Sequence, residues 1–224
     1  MVIYQYRMFS KKFFLLLIIV IAIAGFLVVK EVRRARGIVT EQQDVPLLAY
    51  EITPIPADSS DAPYGNPGAP ITIFEFSNLG CDSCREIHED ITSFIRSHPQ
   101  DIRLIWRYAP NRGWFSGNYE LAHQAAFCAG KQGKFWEFTD AAIQDKDNLE
   151  EPGLSQMASS LRLNMPAWRM CMASDEAAQK MSEWSAIAKA FDINSAPTIF
   201  VNNRRVHLDK NINMEEMMKR MVEK

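Results

Sequence analysis

The chain has 224 residues, 25 basic and 27 acidic side chains, a hydrophobic share of 47% and four cysteines. That length suits one domain with an appendage, and so much apolar side chain excludes a disordered chain. Residues 1–36 carry seven basic residues and one acid, which leaves −8 on the remainder, and so acidic a body excludes nucleic acid as the partner.

Residues 1–12 form a short basic segment, and residues 13–29 are 17 uncharged, mostly aliphatic residues between Lys12 and Lys30. As a helix this stretch spans about 25 Å, enough to cross a bilayer when the flanking lysines snorkel. A cleaved signal peptide and a buried core helix are the competing readings. Ala22-Ile23-Ala24 resembles a processing site, but Phe26, Leu27, Val28 and Val29 carry the apolar run past it. The expectation is a retained single transmembrane helix, a signal anchor. The two flanks are nearly balanced in positive charge. All four cysteines follow the span, and an even cysteine count is what an oxidising compartment favours. The expected placement is therefore the cytoplasmic (inner) membrane, with the domain on the periplasmic or extracellular side. Residues 30–69 are basic at first and then proline-rich, six of the eleven prolines falling between residues 46 and 70, as expected of an extended tether.

From Pro70 the pattern becomes regular. Ile71–Phe76 is rich in β-formers and predicts a buried strand. Asn78-Leu79-Gly80 turns, and Cys81 opens a helix to Ser97, with Ile87, Ile91, Phe94 and Ile95 at helical spacing and Pro99 as a stop. Ile102–Tyr108 predicts a second strand. Helices follow over 118–130, 134–143, 153–161, 166–173 and 175–190. Thr198–Val201, the turn Asn202-Asn203 and Arg205–Leu208 predict a hairpin. A final helix starts near Asn213, which forms a capping box with Glu216. The order is βαβ, a helical block, then ββα, an α/β chain.

The chemistry concentrates in Cys81-Asp82-Ser83-Cys84. A cysteine at a helix N-cap faces free N–H groups and the positive end of the helix dipole, which favour thiolate over thiol. Cys84, one turn further in, is placed to attack a mixed disulfide formed on Cys81. Attack followed by resolution is what thiol–disulfide exchange requires. The alternative reading is a metallochaperone holding copper or zinc through Cys81 and Cys84, with His88 one turn away. Zinc needs two further ligands, and the sequence offers no second CxxC or CxxH.

Pro197, in Ser195-Ala196-Pro197-Thr198, stands directly before a predicted strand. Taken with the CxxC at a strand-to-helix junction and the closing ββα, the pattern resembles the thioredoxin fold. The helical block over 110–190 makes it similar to the DsbA-like branch, in which a helical domain is inserted into that fold. Glu75-Phe76-Ser77, the stretch Cys128–Trp136 and Ala196–Asn202 carry this resemblance, which covers residues 64–224. It implies a thiol–disulfide oxidoreductase acting on protein cysteines, over a domain from residue 70 to 224. It implies Cys81 as nucleophile, Cys84 as resolving cysteine, Pro197 as a cis-proline, and a substrate segment paired to the backbone of Ala196. Glu75 falls where the family has a buried acid that helps move the Cys84 proton; a surface carboxylate at a strand edge is the other reading. The strongly oxidising members have Pro-His inside the motif, whereas this chain has Asp82-Ser83. A carboxylate next to Cys81 repels its thiolate, so Asp82 is expected to make the disulfide a weaker oxidant.

Cys128 and Cys171 lie in the predicted insertion, away from the motif. A structural disulfide between them is expected, with two separate buried thiols as the other possibility. The four histidines show no ligand spacing among themselves and read as surface or packing residues. The five tryptophans, and the methionines of the last helix, read as core. No metal or other cofactor is expected. The expected partners are cysteine-containing client proteins, a membrane redox partner that recycles the dithiol, and the lipid bilayer at residues 13–29.

Overall fold

The computed structural model of the chain describes residue 13 and residues 18–30, 48–51, 54–57, 61–110, 119–207 and 213–223. It forms two units, residues 1–46 and 47–224. In the first, residues 13 and 18–30 are helical and exposed. Among the described residues no helix is long and apolar enough to cross a membrane. Residues 1–12, and residues 14–17 of the expected span, lie outside the described residues.

The second unit is built on a six-stranded sheet: β1 (Leu48–Glu51), β2 (Tyr64–Gly65), β3 (Ile71–Ser77), β4 (Ile102–Tyr108), β5 (Thr198–Val201) and β6 (Arg204–Val206). The strand order is β1-β6-β5-β3-β4-β2, with only β3 and β4 parallel. That parallel pair requires a crossover, which α1 (Asp82–Ser97) provides. The insertion holds α2 (Glu120–Gly130), α3 (Phe135–Gln144), α4 (Glu151–Ser160), α5 (Met165–Met172) and α6 (Asp175–Ala190), and α7 (Met214–Val222) closes the chain.

Strand alternation sorts side chains to the two faces of the sheet. Ile71 and Ile73 of β3 meet Ile91, Phe94 and Ile95 of α1 and Met214, Met217 and Met218 of α7. Phe74 and Phe76 go to the other face with Ile105, Phe200 and Ala188. Fully burying side chains of this size is worth about 1.5–3 kcal/mol each. The methionines of α7 are thus core filling, and Trp168 and Trp184 of the insertion share a buried cluster with Trp106 of β4; Trp114 lies outside the described residues. Between β5 and β6, Asn202 and Asn203 both have positive φ, 46° and 64°, as a two-residue hairpin turn demands. At α7, the Asn213 side chain accepts from the Glu216 N–H at 3.0 Å, the expected cap.

One expectation is corrected. Residues 30–69 are not a tether throughout, because β1 and β2 lie inside that range and join the sheet. Ile55 is buried, and the fully buried Arg107 of β4 pairs with Asp61 at 2.6 Å and donates to the Pro56 carbonyl at 2.5 Å. A buried guanidinium without its carboxylate is strongly destabilising, so this stretch is held to the domain by charge as well as by strand pairing.

Cys128 of α2 and Cys171 of α5 form a disulfide with a Cα–Cα distance of 5.7 Å, closing a loop of 43 residues; they are not separate thiols. In the chain-entropy picture such a loop stabilises the fold by about 4 kcal/mol. The Cys128→Ala/Cys171→Ala protein is therefore expected to lose about 3–4 kcal/mol in urea unfolding. A loss below about 1 kcal/mol would mean that the crosslink does not restrict the unfolded chain.

Candidate active site

β3 ends at Ser77, and Asn78-Leu79-Gly80 delivers Cys81 to the N-cap of α1. A Cβ on Gly80 would fall 2.1 Å from the Tyr119 ring, so a larger residue there would displace the ring that packs one residue before the motif. Cys81 and Cys84 are bonded to each other, with Cα atoms 5.2 Å apart. The two sulfurs differ in access: Cys84 is fully buried and Cys81 half-buried. The Cys84 N–H donates to the Cys81 sulfur at 3.1 Å, and the Ser83 hydroxyl lies 3.4 Å from it. A thiolate at Cys81 would find these donors already in place.

Facing the motif, the Ala196–Pro197 peptide is cis, and Cys81 Sγ lies 3.9 Å from the Ala196 carbonyl oxygen. Residues 115 apart in sequence thus meet because β5 pairs with β3 directly beneath the motif.

Glu75 is fully buried, so it is not a surface carboxylate at a strand edge. Its Oε2 lies 2.9 Å from Nδ1 of His88, also buried, and His88 Nε2 lies 3.4 Å from Asp140 Oδ1. Burial alone would push His88 down, but the charge of Glu75 and the hydrogen bonds to Asp140 and Glu75 more than reverse it. Its pKa is pushed up to about 9. His123 is the contrast. It too is buried, its Nε2 accepts from the Leu79 N–H at 3.3 Å, and burial pushes it down to about 3.

Asp82 is exposed and bound to Lys146 at 2.6 Å, with Arg85 at 3.9 Å. The Lys146 hydrogen bond and charge hold its carboxyl below the usual carboxylate range. The expectation for Asp82 took its charge alone, and the structure supplies a cation from the insertion beside it.

Two residues of this site, Tyr119 and Lys146, escape the sequence reading, because they carry no local signal. His88, one turn after Cys84, enters that reading only as a packing residue or a metal ligand, and the i, i+4 spacing places it on the face of α1 that carries the buried cysteine. Both His88 nitrogens are turned to carboxylates, which removes it from any metal site shared with Cys81 and Cys84. Among the described residues no cluster of three or more histidines, cysteines or carboxylates is arranged to hold a metal ion.

A disulfide across the first turn of a helix, its outer sulfur facing a cis-proline, is an arrangement suited to thiol–disulfide exchange. The thioredoxin family model matches residues 58–224, and the chain belongs to that family. Among curated proteins, the Na(+)/H(+) antiporter NhaA 3 of Salinispora tropica is 27% identical over 180 residues. The match takes in 80% of this chain but 27% of that protein, so the chain spans about a quarter of the antiporters it matches. The probable disulfide bond formation protein D of Bacillus cereus is 22% identical over 202 residues, covering 85% of this chain and 89% of its own. Among solved structures, oxidised BdbD from Bacillus subtilis superposes with a TM-score of 0.62 at 23% identity, over 77% of this chain and 96% of that one.

Proposed function

We propose that the domain donates its Cys81–Cys84 disulfide to cysteine-bearing client proteins outside the cytoplasm. The observation that carries this reading is the half-buried Cys81 sulfur 3.9 Å from the carbonyl that precedes a cis-proline. A client segment paired as an extra strand to the Ala196 backbone would bring its own sulfur to Cys81. Cys81 is the sulfur that clients attack and the nucleophile in the reverse direction. Cys84, buried behind it, leaves or resolves. Glu75 exchanges the Cys84 proton, and Ser83 and the Cys84 N–H stabilise the Cys81 thiolate. Pro197 shapes the docking edge. The name of the Bacillus cereus relative supports disulfide donation as the net direction, and so does the cation set beside Asp82. A membrane redox partner then reoxidises the dithiol. The test is the reduction potential of the pair. A value near or below that of thioredoxin, about −270 mV, would make the protein a reductase instead.

Because Lys146 neutralises Asp82, Asp82→Asn is expected to shift the exchange equilibrium little. Lys146→Met leaves the carboxylate uncompensated and is expected to make the disulfide a weaker oxidant, within about fivefold for so exposed a pair. Equilibration with glutathione measures both. A larger shift for Asp82→Asn than for Lys146→Met would show that the lysine does not screen the motif.

The same proposal places residues 13–29 in the membrane as a single span with the N-terminus inside. Its support is the 17-residue uncharged run between lysines. Alkaline phosphatase fused after residue 224 should then be active, and full protease protection of the domain in spheroplasts would reverse the topology.

A further inference from the structure

We propose that His88 is a positioning residue of the dithiol site, a buried cation tied to the surface through Asp140 that keeps Glu75 charged and ready to take the Cys84 proton. The inference rests on the exchange roles proposed above for Cys81, Cys84 and Glu75. His88 stands one turn after Cys84 on α1, and both are buried.

A buried histidine that serves only packing is normally neutral, with one donor and one acceptor nitrogen. His123 is such a residue in this same fold, with a backbone N–H donating to its Nε2. His88 differs because both ring nitrogens are directed at carboxylates, Glu75 at 2.9 Å and Asp140 at 3.4 Å. With both carboxyl groups ionised, each can only accept, so both nitrogens act as donors and the ring is an imidazolium. Its pKa of about 9 agrees with that geometry. Among the described residues, the charged groups facing it are Glu75 from β3 and Asp140 from α3. β4 contributes Trp106, edge-on at 5.0 Å, and α3 contributes Trp136, stacked at 6.0 Å. These indoles keep water from the Glu75–His88 pair, while Asp140 is 55% exposed and opens it to solvent on one side.

Only one oxygen of Glu75 is used by His88; the other, Oε1, is buried and has no hydrogen-bond partner among the described residues. An uncompensated buried carboxylate takes up a proton and ceases to be a base. With the imidazolium in place, Glu75 stays a carboxylate with a free oxygen. In the resolving step the Cys84 S–H bond breaks and its proton passes to Glu75 Oε1. The Cys84 sulfur's electron pair forms the bond to Cys81 Sγ. The bond from Cys81 to the client sulfur breaks, and the client leaves as a thiolate. The enzyme dithiol is oxidised and the client sulfur reduced, with no further reagent, and disulfide donation follows the same path backwards.

The test uses the reduced full-length protein and the aromatic disulfide 5,5′-dithiobis(2-nitrobenzoate) in stopped flow. Attack by Cys81 releases a first coloured thiolate, and resolution by Cys84 releases a second. If the wild-type protein gives no rapid second release, the exchange roles themselves are wrong. Given that release, His88→Gln is expected to slow the second phase at neutral pH by at least about tenfold. It should also move that phase's pH profile upward while leaving the first phase unchanged. His88→Lys, which restores a cation, should recover most of the rate. Asp140→Asn, at the surface and safe for folding, should shift the profile the same way by less. A wild-type pH profile in His88→Gln or Asp140→Asn, equal slowing of both phases, or a lysine variant as slow as the glutamine one would overturn the proposal.

Discussion

A Cys84→Ser protein is expected to accumulate covalent complexes with its clients, whereas Cys81→Ser accumulates almost none. The asymmetry follows from access. Cys81 is half-buried at the N-cap of α1, with the Cys84 N–H at 3.1 Å and the Ala196 carbonyl at 3.9 Å, while Cys84 is wholly buried. A client sulfur can therefore reach only the first. Without Cys84 the mixed disulfide has no internal thiol to resolve it and persists. Acid quenching followed by non-reducing electrophoresis should give at least about tenfold more complex for Cys84→Ser, consistent with selective reactivity at a partly accessible, donor-rich cysteine. Equal trapping by the two variants would reverse the division of roles.

The oxidised protein is also expected to be most stable near pH 6.5 and to weaken on either side of it. The folded-state pKa of His88, about 9, lies above its ordinary 6.5. Its stabilisation is complete below about pH 6.5 and is lost as the pH rises toward 9, an effect of order 3 kcal/mol. His123 has the opposite sign, with a folded value of about 3 against 6.5. Its stabilisation is complete above pH 6.5 and is lost as the pH falls toward 3, by up to about 5 kcal/mol. Urea unfolding across pH 5–9 reads both arms. His88→Gln should flatten the alkaline arm and His123→Gln the acid one. Unchanged wild-type stability from pH 6.5 to 9 would mean that the ring between Glu75 and Asp140 carries no extra proton.

The central elements were legible in the sequence because their signals are local. Ile71–Phe76 and Ile102–Tyr108 are β-branched and aromatic runs that become β3 and β4, and Pro99 follows the helix that ends at Ser97. The CxxC motif, the proline before β5 and the asparagine pair of the hairpin are equally local. β1 and β2 are four and two residues long, too short for any period to register, and their partners β6 and β4 are distant in sequence. The same reason hid the electrostatics of the site. Lys146 reaches Asp82 across 64 residues and Asp140 reaches His88 across 52, and nothing within a helical turn of any of the four announces the other. Charge at a site can be counted from sequence, but whether it is compensated depends on packing.

Both outermost strands of the sheet, β1 on β6 and β2 on β4, come from the single stretch between residues 48 and 65. One segment thus covers both open margins at once. A fragment beginning at residue 66 would expose, in one cut, the free backbone of β6 and the seven-residue apolar β4. Unpaired margins of that kind recruit other chains, edge to edge. Such a fragment would keep the CxxC and cis-proline residues but lose Asp61, leaving Arg107 buried without its carboxylate, so self-association would come together with a loss of stability.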